Sequence, residues 1–264
     1  MNNGDTVSKE EYDSLLMKVK ELLEQQKKSQ KKTDELIEIA TQVIRQLVRN
    51  PDHLIKERIV QRNISLSKKS QKKPAIFIHV VPKDFRNDEI IDITSLGRKD
   101  VARFMIPFTC AGGHPSYNAE GFACIFKDNN GEIMGYDQIL RNGLYESYRA
   151  AEAESQEANK YYFHHNTLKG ELNIKISNII QALLEINKKG PYQVYLNYTD
   201  IENAYIYDNR SKAKIDGFNV NSLSLPIITI EESDDEIAIS KKLNPIMDII
   251  WQAGGHASYN RQIG

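Results

Sequence analysis

Two octapeptides set the same reactive side chains at the same spacing: AGGHPSYN at 111–118 and AGGHASYN at 253–260. In each, a glycine pair lets the backbone approach a ligand closely or take a positive φ, and a histidine and a tyrosine follow that can coordinate, donate protons or stack. The residues concerned are Gly112, Gly113, His114, Tyr117 and Asn118 in the first copy, and Gly254, Gly255, His256 and Tyr259 in the second. Brought together, His114 and His256 would form an acid–base pair or two ligands of a metal, with Tyr117 and Tyr259 shaping the substrate. Nothing supplies the rest of such a set. Zinc wants three or four ligands at characteristic spacing, and His164 and His165 have no acidic partner spaced as in HExxH.

Other chemistries are absent as motifs. The chain has no GxSxG elbow, no GxxxxGK[ST] phosphate loop, no GxGxxG after a strand and no kinase constellation. Cys110 and Cys124 stand apart rather than as CxxC, which suits inert buried thiols. The architectural reading of the octapeptides therefore leads: Gly254 or Gly255 takes αL at a helix end, and the first copy makes a turn before a strand. No cofactor and no metal are expected.

The elements that would position these residues follow from periodicity. Residues 75–81 (AIFIHVV) form a continuous apolar run stopped by Pro82, which predicts a strand buried on both faces. His79 inside it is expected to be a core histidine bonded to backbone. Residues 120–126 and 132–140 flank Asp128-Asn129-Asn130-Gly131, a hairpin turn signal, and 144–149 follow as a further antiparallel strand. Leu172, Ile176, Ile179, Ile180, Leu183 and Leu184 have helical spacing within 171–187, and Gly190-Pro191 terminates the run. Residues 192–198 and 225–230 read as strands, and 237–252 as a closing helix, bent or started at Pro245. Segregated strands and helices give an α+β fold with an antiparallel sheet.

Ahead of that domain lies a different kind of sequence. Ser8 and Glu11 form a capping box. From there a 3-4-3-4 register runs through Leu15, Val19, Leu22, Gln26, Ser29, Thr33, Leu36, Ala40, Val43 and Leu47, with no Pro or Gly until Pro51. This predicts a long coiled-coil-like helix with a polar middle. Some 40 residues would span roughly 60 Å, too long for the stripe to be covered by a small domain of the same chain, so self-association is the expected use. A fold-back hairpin around Lys27 to Lys32 is the competing arrangement. The division expected is 1–50 for this helix, 51–74 for a short basic helix and linker, and 75–264 for the α+β domain.

Charge divides along the same line. Residues 1–74 carry 16 Lys+Arg against 11 Asp+Glu, and the remainder 19 against 25. Lys27, Lys28, Lys31 and Lys32 are the candidate phosphate contacts if the first part meets nucleic acid, although their interleaving with Glu and Gln reads first as a solvated helix face. No run approaches the ~18 continuous apolar residues of a membrane span, and two cysteines make no disulfide framework. A cytoplasmic protein without a membrane partner is expected.

The ordered blocks HLIKERI, IHVVP, GGHPSYNAEGF, QILRNGLYE and LNPIMDIIWQAGG resemble the C-terminal region of bacterial proteins that carry a Schlafen AlbA-type putative DNA-binding domain. The similarity covers about residues 53–260 and falls on Tyr117, Asn118, Gly121, Arg141, Asn142, Trp251 and Gly254. The AlbA-type domain itself is absent, and the helical arm stands in its place. What the resemblance implies is an accessory portion of regulatory or antiviral-defence components, without the DNA-binding or RNA-cleaving role of the missing domain. The expectation is a non-enzymatic oligomeric module that binds itself, a partner protein or a small ligand. A nucleic-acid-binding regulator and a hydrolase using His114 and His256 are the alternatives.

Overall fold

The computed structural model describes residues 9–49, 55, 57–63, 73–85, 90–97, 100–106, 108, 113–153, 160–208 and 213–255, with side chains in the first helix described over 14–39. The chain divides into two compact units, Met1–Val60 and Gln61–Gly264.

Within the first unit, α1 (Lys9–Arg49) is one continuous helix of 41 residues. Gln30 Nε2 donates to Asp34 Oδ1 and Thr33 Oγ1 to Ser29 O inside the polar middle, so the helical register carries through Lys27 to Lys32 and the hairpin alternative is overturned. With neither Pro nor Gly inside, nothing in the sequence interrupts the i to i−4 ladder there. The capping box at Ser8 lies outside the described residues. A short helix, α2 (57–63), begins in the first unit and ends in the second.

In the second unit, the described strands form two sheets. The larger takes β1 (Ala75–Pro82), β2 (His114–Tyr117), β3 (Gly121–Lys127), β4 (Ile133–Leu140), β5 (Tyr145–Ala150), β8 (Tyr192–Thr199) and β11 (Ser222–Ser224) in the order β11-β8-β1-β5-β4-β3-β2, with β12 (Ile228–Ile230) also on β8. Its described pairings are antiparallel. The smaller sheet, β10-β9-β7-β6, uses β6 (Glu152–Ala153), β7 (Tyr161–His164), β9 (Ala204–Asp208) and β10 (Ala213–Gly217), and its β7–β9 pair is parallel. The fold is α+β as expected; the second sheet with its parallel pair is an addition to the single antiparallel sheet.

Helices α3 (Ile93–Leu96), α4 (His165–Glu185) and α5 (Glu236–Ala253) complete the unit. Helix α4 starts six residues before the predicted 171. Helix α5 is capped by Asp235, whose carboxylate accepts from Ala238 N at 2.8 Å, and runs through Pro245 rather than beginning there. Leu172, Ile176, Ile179, Ile180 and Leu183 of α4 and Ile239, Leu243, Ile246, Met247, Ile250 and Trp251 of α5 join Ile76, Ile78 and Val80 of β1 in the main core. Alternate residues of β1 point the other way: Ala75 and Phe77 pack with Tyr136, Tyr148 and Ala150 in a second cluster. Thus β1 is buried on both faces, as its continuous apolar run predicts.

Candidate functional site

The octapeptides occupy dissimilar places. His114 to Tyr117 of the first copy is β2, at the end of the larger sheet's strand order and paired with β3. Alternation puts His114 and Tyr117 on opposite faces. His114 is exposed, and the Tyr117 ring packs 5.2 Å from Phe122 and over Gly97, where any Cβ would collide with its hydroxyl. Asn118 closes the β2–β3 turn: its Oδ1 accepts from Glu120 N (2.9 Å), Gly121 N (2.8 Å) and Gln138 Nε2 (3.2 Å).

The second copy begins on a helix end. Ala253 is the last residue of α5, Gly254 N donates to Ile250 O (3.2 Å) and Trp251 O (3.1 Å), and Gly255 takes φ 87°. Gly255 is therefore the αL residue of the predicted pair, as the absence of a Cβ allows. His256 and Tyr259, like Gly112, lie outside the described residues, and with them the proposed pairing of His114 with His256. Gly113 immediately precedes β2 and is half-buried.

Arg141, Asn142 and Trp251 hold turns and core. Arg141 Nε donates to Ala119 O at 2.9 Å, tying the β4 end to the β2–β3 turn. Asn142 Oδ1 accepts from Leu144 N (3.2 Å) in the β4–β5 turn, where Gly143 has φ 84°. Trp251 is 1% exposed in the main core. Among the described residues, no group of three or more His, Cys, Asp or Glu is arranged to hold a metal ion.

The polar chemistry of the domain gathers elsewhere, around Glu146. Register sets His79 of β1 opposite Glu146 of β5, and Glu146 opposite Gln138 of β4, all on the sheet face that carries Phe77, Tyr136 and Tyr148. The Glu146 carboxylate is fully buried. It accepts from Tyr136 Oη at 2.6 Å, from Arg62 Nε at 2.7 Å and from Arg62 Nη2 at 3.0 Å, and His79 Nε2 lies 3.1 Å away. Arg62 uses the other side of its fork on Glu120, Nη1 to Oε1 and Nη2 to Oε2, both at 2.7 Å. Burial alone would raise the Glu146 pKa, but the His79 hydrogen bond and charge and then the Arg62 fork bring it down to about 2. For Arg62, burial pulls downward and the bonds to Glu120 and Glu146 prevail, so its pKa rises. Burial, followed by the Glu146 charge, drives the Tyr136 hydroxyl well above its usual value.

Two further clusters flank the opposite face of the larger sheet. Lys175 of α4 forms a buried ion pair with Asp137 of β4 and also donates to Ile106 O at 2.8 Å. Burial raises the Asp137 pKa against the opposing Lys175 charge, and burial also lifts the Cys124 thiol. Arg149 joins Glu171 (3.0 Å) and Glu152 (3.3 Å), and Glu152 accepts from Tyr162 Oη at 3.1 Å with His164 Nε2 at 3.3 Å.

What these arrangements can do is set by access. A general acid or base must reach the proton it moves, and His79, Glu146, Asp137 and Lys175 are each at most 4% exposed. They pin strands and helices together. His79 is thus a core histidine as expected, but it faces a carboxylate rather than backbone. Arg62, Glu120, Tyr136 and Glu146 were not singled out by sequence. The available signal was Glu146 itself, a carboxylate inside the strand-like run YESYRA, which needs a cation or several donors if buried.

Comparison of the chain with family models, with curated proteins and with solved structures returns no match.

Proposed function

We propose that the chain is a non-enzymatic, self-assembling accessory module in which α1 joins copies and the α+β domain recognises a partner. The observation that carries this reading is the surface of α1. Every side chain described on it is exposed, including Leu22 at 64% and Leu36 at 66%, together with Leu15, Val19 and Ile39. Burying each such side chain contributes about 1.5–3 kcal/mol, and a helix of 41 residues spreads that apolar stripe along about 60 Å. Leu16, Leu23 and Ile37 extend the seam to a third heptad position, the width of a helix in a bundle rather than of a two-stranded seam.

The non-enzymatic half of the proposal is supported by the burial of the His79, Glu146, Asp137 and Lys175 side chains, each at most 4% exposed. The resemblance to the accessory region of Schlafen AlbA-type proteins agrees with it and stays part of the proposal, as does a regulatory or defence role. Among the described residues, no helix is long and apolar enough to cross a membrane.

Light scattering after gel filtration tests the assembly. The full chain of 30.2 kDa should elute at a multiple of its mass, and Leu22→Lys with Leu36→Lys should return it to a single copy. A wild-type protein of single-chain mass sinks the proposal.

A second reading has one observation in its favour: Lys27, Lys28, Lys31 and Lys32 are all exposed on α1. If they contact phosphates, duplex binding should weaken steeply with salt and weaken further when the four become Gln. Binding that ignores salt removes this reading.

A further inference from the structure

We propose that Glu146, Glu120, Tyr136 and His79 form a receptor for a guanidinium group, which Arg62 fills as an intramolecular ligand. The arrangement matches that group's geometry. Three nitrogens of one planar fork meet two carboxylates, with Nη2 shared between Glu146 and Glu120. Parallel N–H donors of this kind are specific to guanidinium, since an ammonium is a point charge that bonds one carboxylate well at the expense of the other.

Charge points the same way. Both groups that the fork meets are carboxylates, so the receptor is complementary in charge to a guanidinium. The depth profile permits exchange: the Glu146 carboxylate at the floor is sealed, whereas Arg62 is 18% and Glu120 46% exposed at the mouth. Tyr136 and His79 hold the floor carboxylate in place from within the sheet. An occupant can therefore leave from the rim while β1, β4 and β5 stay paired. Arg62 holds the site in the resting chain because a tethered ligand has a high effective concentration. An arginine on a partner gains entry when Arg62 withdraws. This deepens the recognition role proposed above and does not depend on assembly by α1, so the two can fail separately.

The test is chemical rescue of the full-length Arg62→Ala variant, followed by thermal unfolding. Millimolar methylguanidinium chloride should raise the Tm of the variant by about 3 °C, matched methylammonium chloride should leave it unchanged, and the wild type should respond to neither. If the alanine variant does not fold by itself, recovery on refolding with methylguanidinium supports the proposal, and Arg62→Gln provides the second variant for the same titrations. Equal responses to both salts, or no response from either variant, overturns it. Free arginine and a blocked arginine peptide then serve as probes: binding of the peptide alone assigns the site to a partner's side chain, and competition by both assigns it to arginine in either form.

Discussion

Arg62 and Glu146, 84 positions apart, are joined by two hydrogen bonds, Nε to Oε2 at 2.7 Å and Nη2 to Oε1 at 3.0 Å. This pair binds Arg62, in the last turn of α2, to the middle of the larger sheet. A buried carboxylate is tolerated there because every one of its described partners donates toward it.

The Glu146 contribution has a definite pH window. Its folded pKa lies at about 2, below the ordinary 4.5. A depressed carboxylate stabilises fully above its unfolded value and loses that effect as pH falls through the folded one. Roughly 3 kcal/mol should therefore disappear between about pH 4.5 and pH 2. Urea unfolding at several pH values checks this, and Glu146→Gln should flatten the profile across that window while lowering stability at neutral pH.

Lys175 and Asp137 should behave as a pair rather than as two residues. Lys175→Met strands the Asp137 carboxylate in the core and should cost about 3–5 kcal/mol, whereas adding Asp137→Asn should restore part of the loss. A double-mutant cycle by denaturant unfolding reads the coupling. Strictly additive losses would show that the two do not act together.

Gly121 is required by a close approach. A Cβ there would overlap the Ile139 carbonyl across the β3–β4 pair, which rigid backbone cannot relieve. Gly121→Ala should lower Tm and loosen amide exchange in β3 and β4 first. Gly131→Ala has open space around it and pays only for its φ of 83°, so it should cost less.

Under the proposed assembly, the polar centre of α1 sets a limit on its strength. Replacing Gln26, Ser29 and Thr33 by Leu extends the exposed apolar seam of α1, and should raise the thermal stability of the proposed oligomer by burying three more side chains. Circular dichroism across a concentration series measures it. An unchanged, concentration-independent transition would count against assembly through this face.

Much of the architecture was legible because periodicity is local. The heptad-like spacing of Leu15 to Leu47 dictated α1, the run AIFIHVV dictated a doubly buried β1, and Leu172 to Leu183 dictated the inner face of α4. The glycine expected at the end of α5 proved to be Gly255, since backbone sterics alone select a residue without Cβ for positive φ.

Strand register and the meeting of distant segments were decided only in three dimensions. Nothing within AGGHPSYN separates a pocket from a strand; pairing with β3 and the packing of Tyr117 over Gly97 made His114 to Tyr117 the latter. Likewise, no local pattern joins Arg62 to Glu120 and Glu146. Hydrophobic spacing tells each segment which face to bury, whereas an ion pair depends on which strands become neighbours, and that is a property of the whole packed sheet.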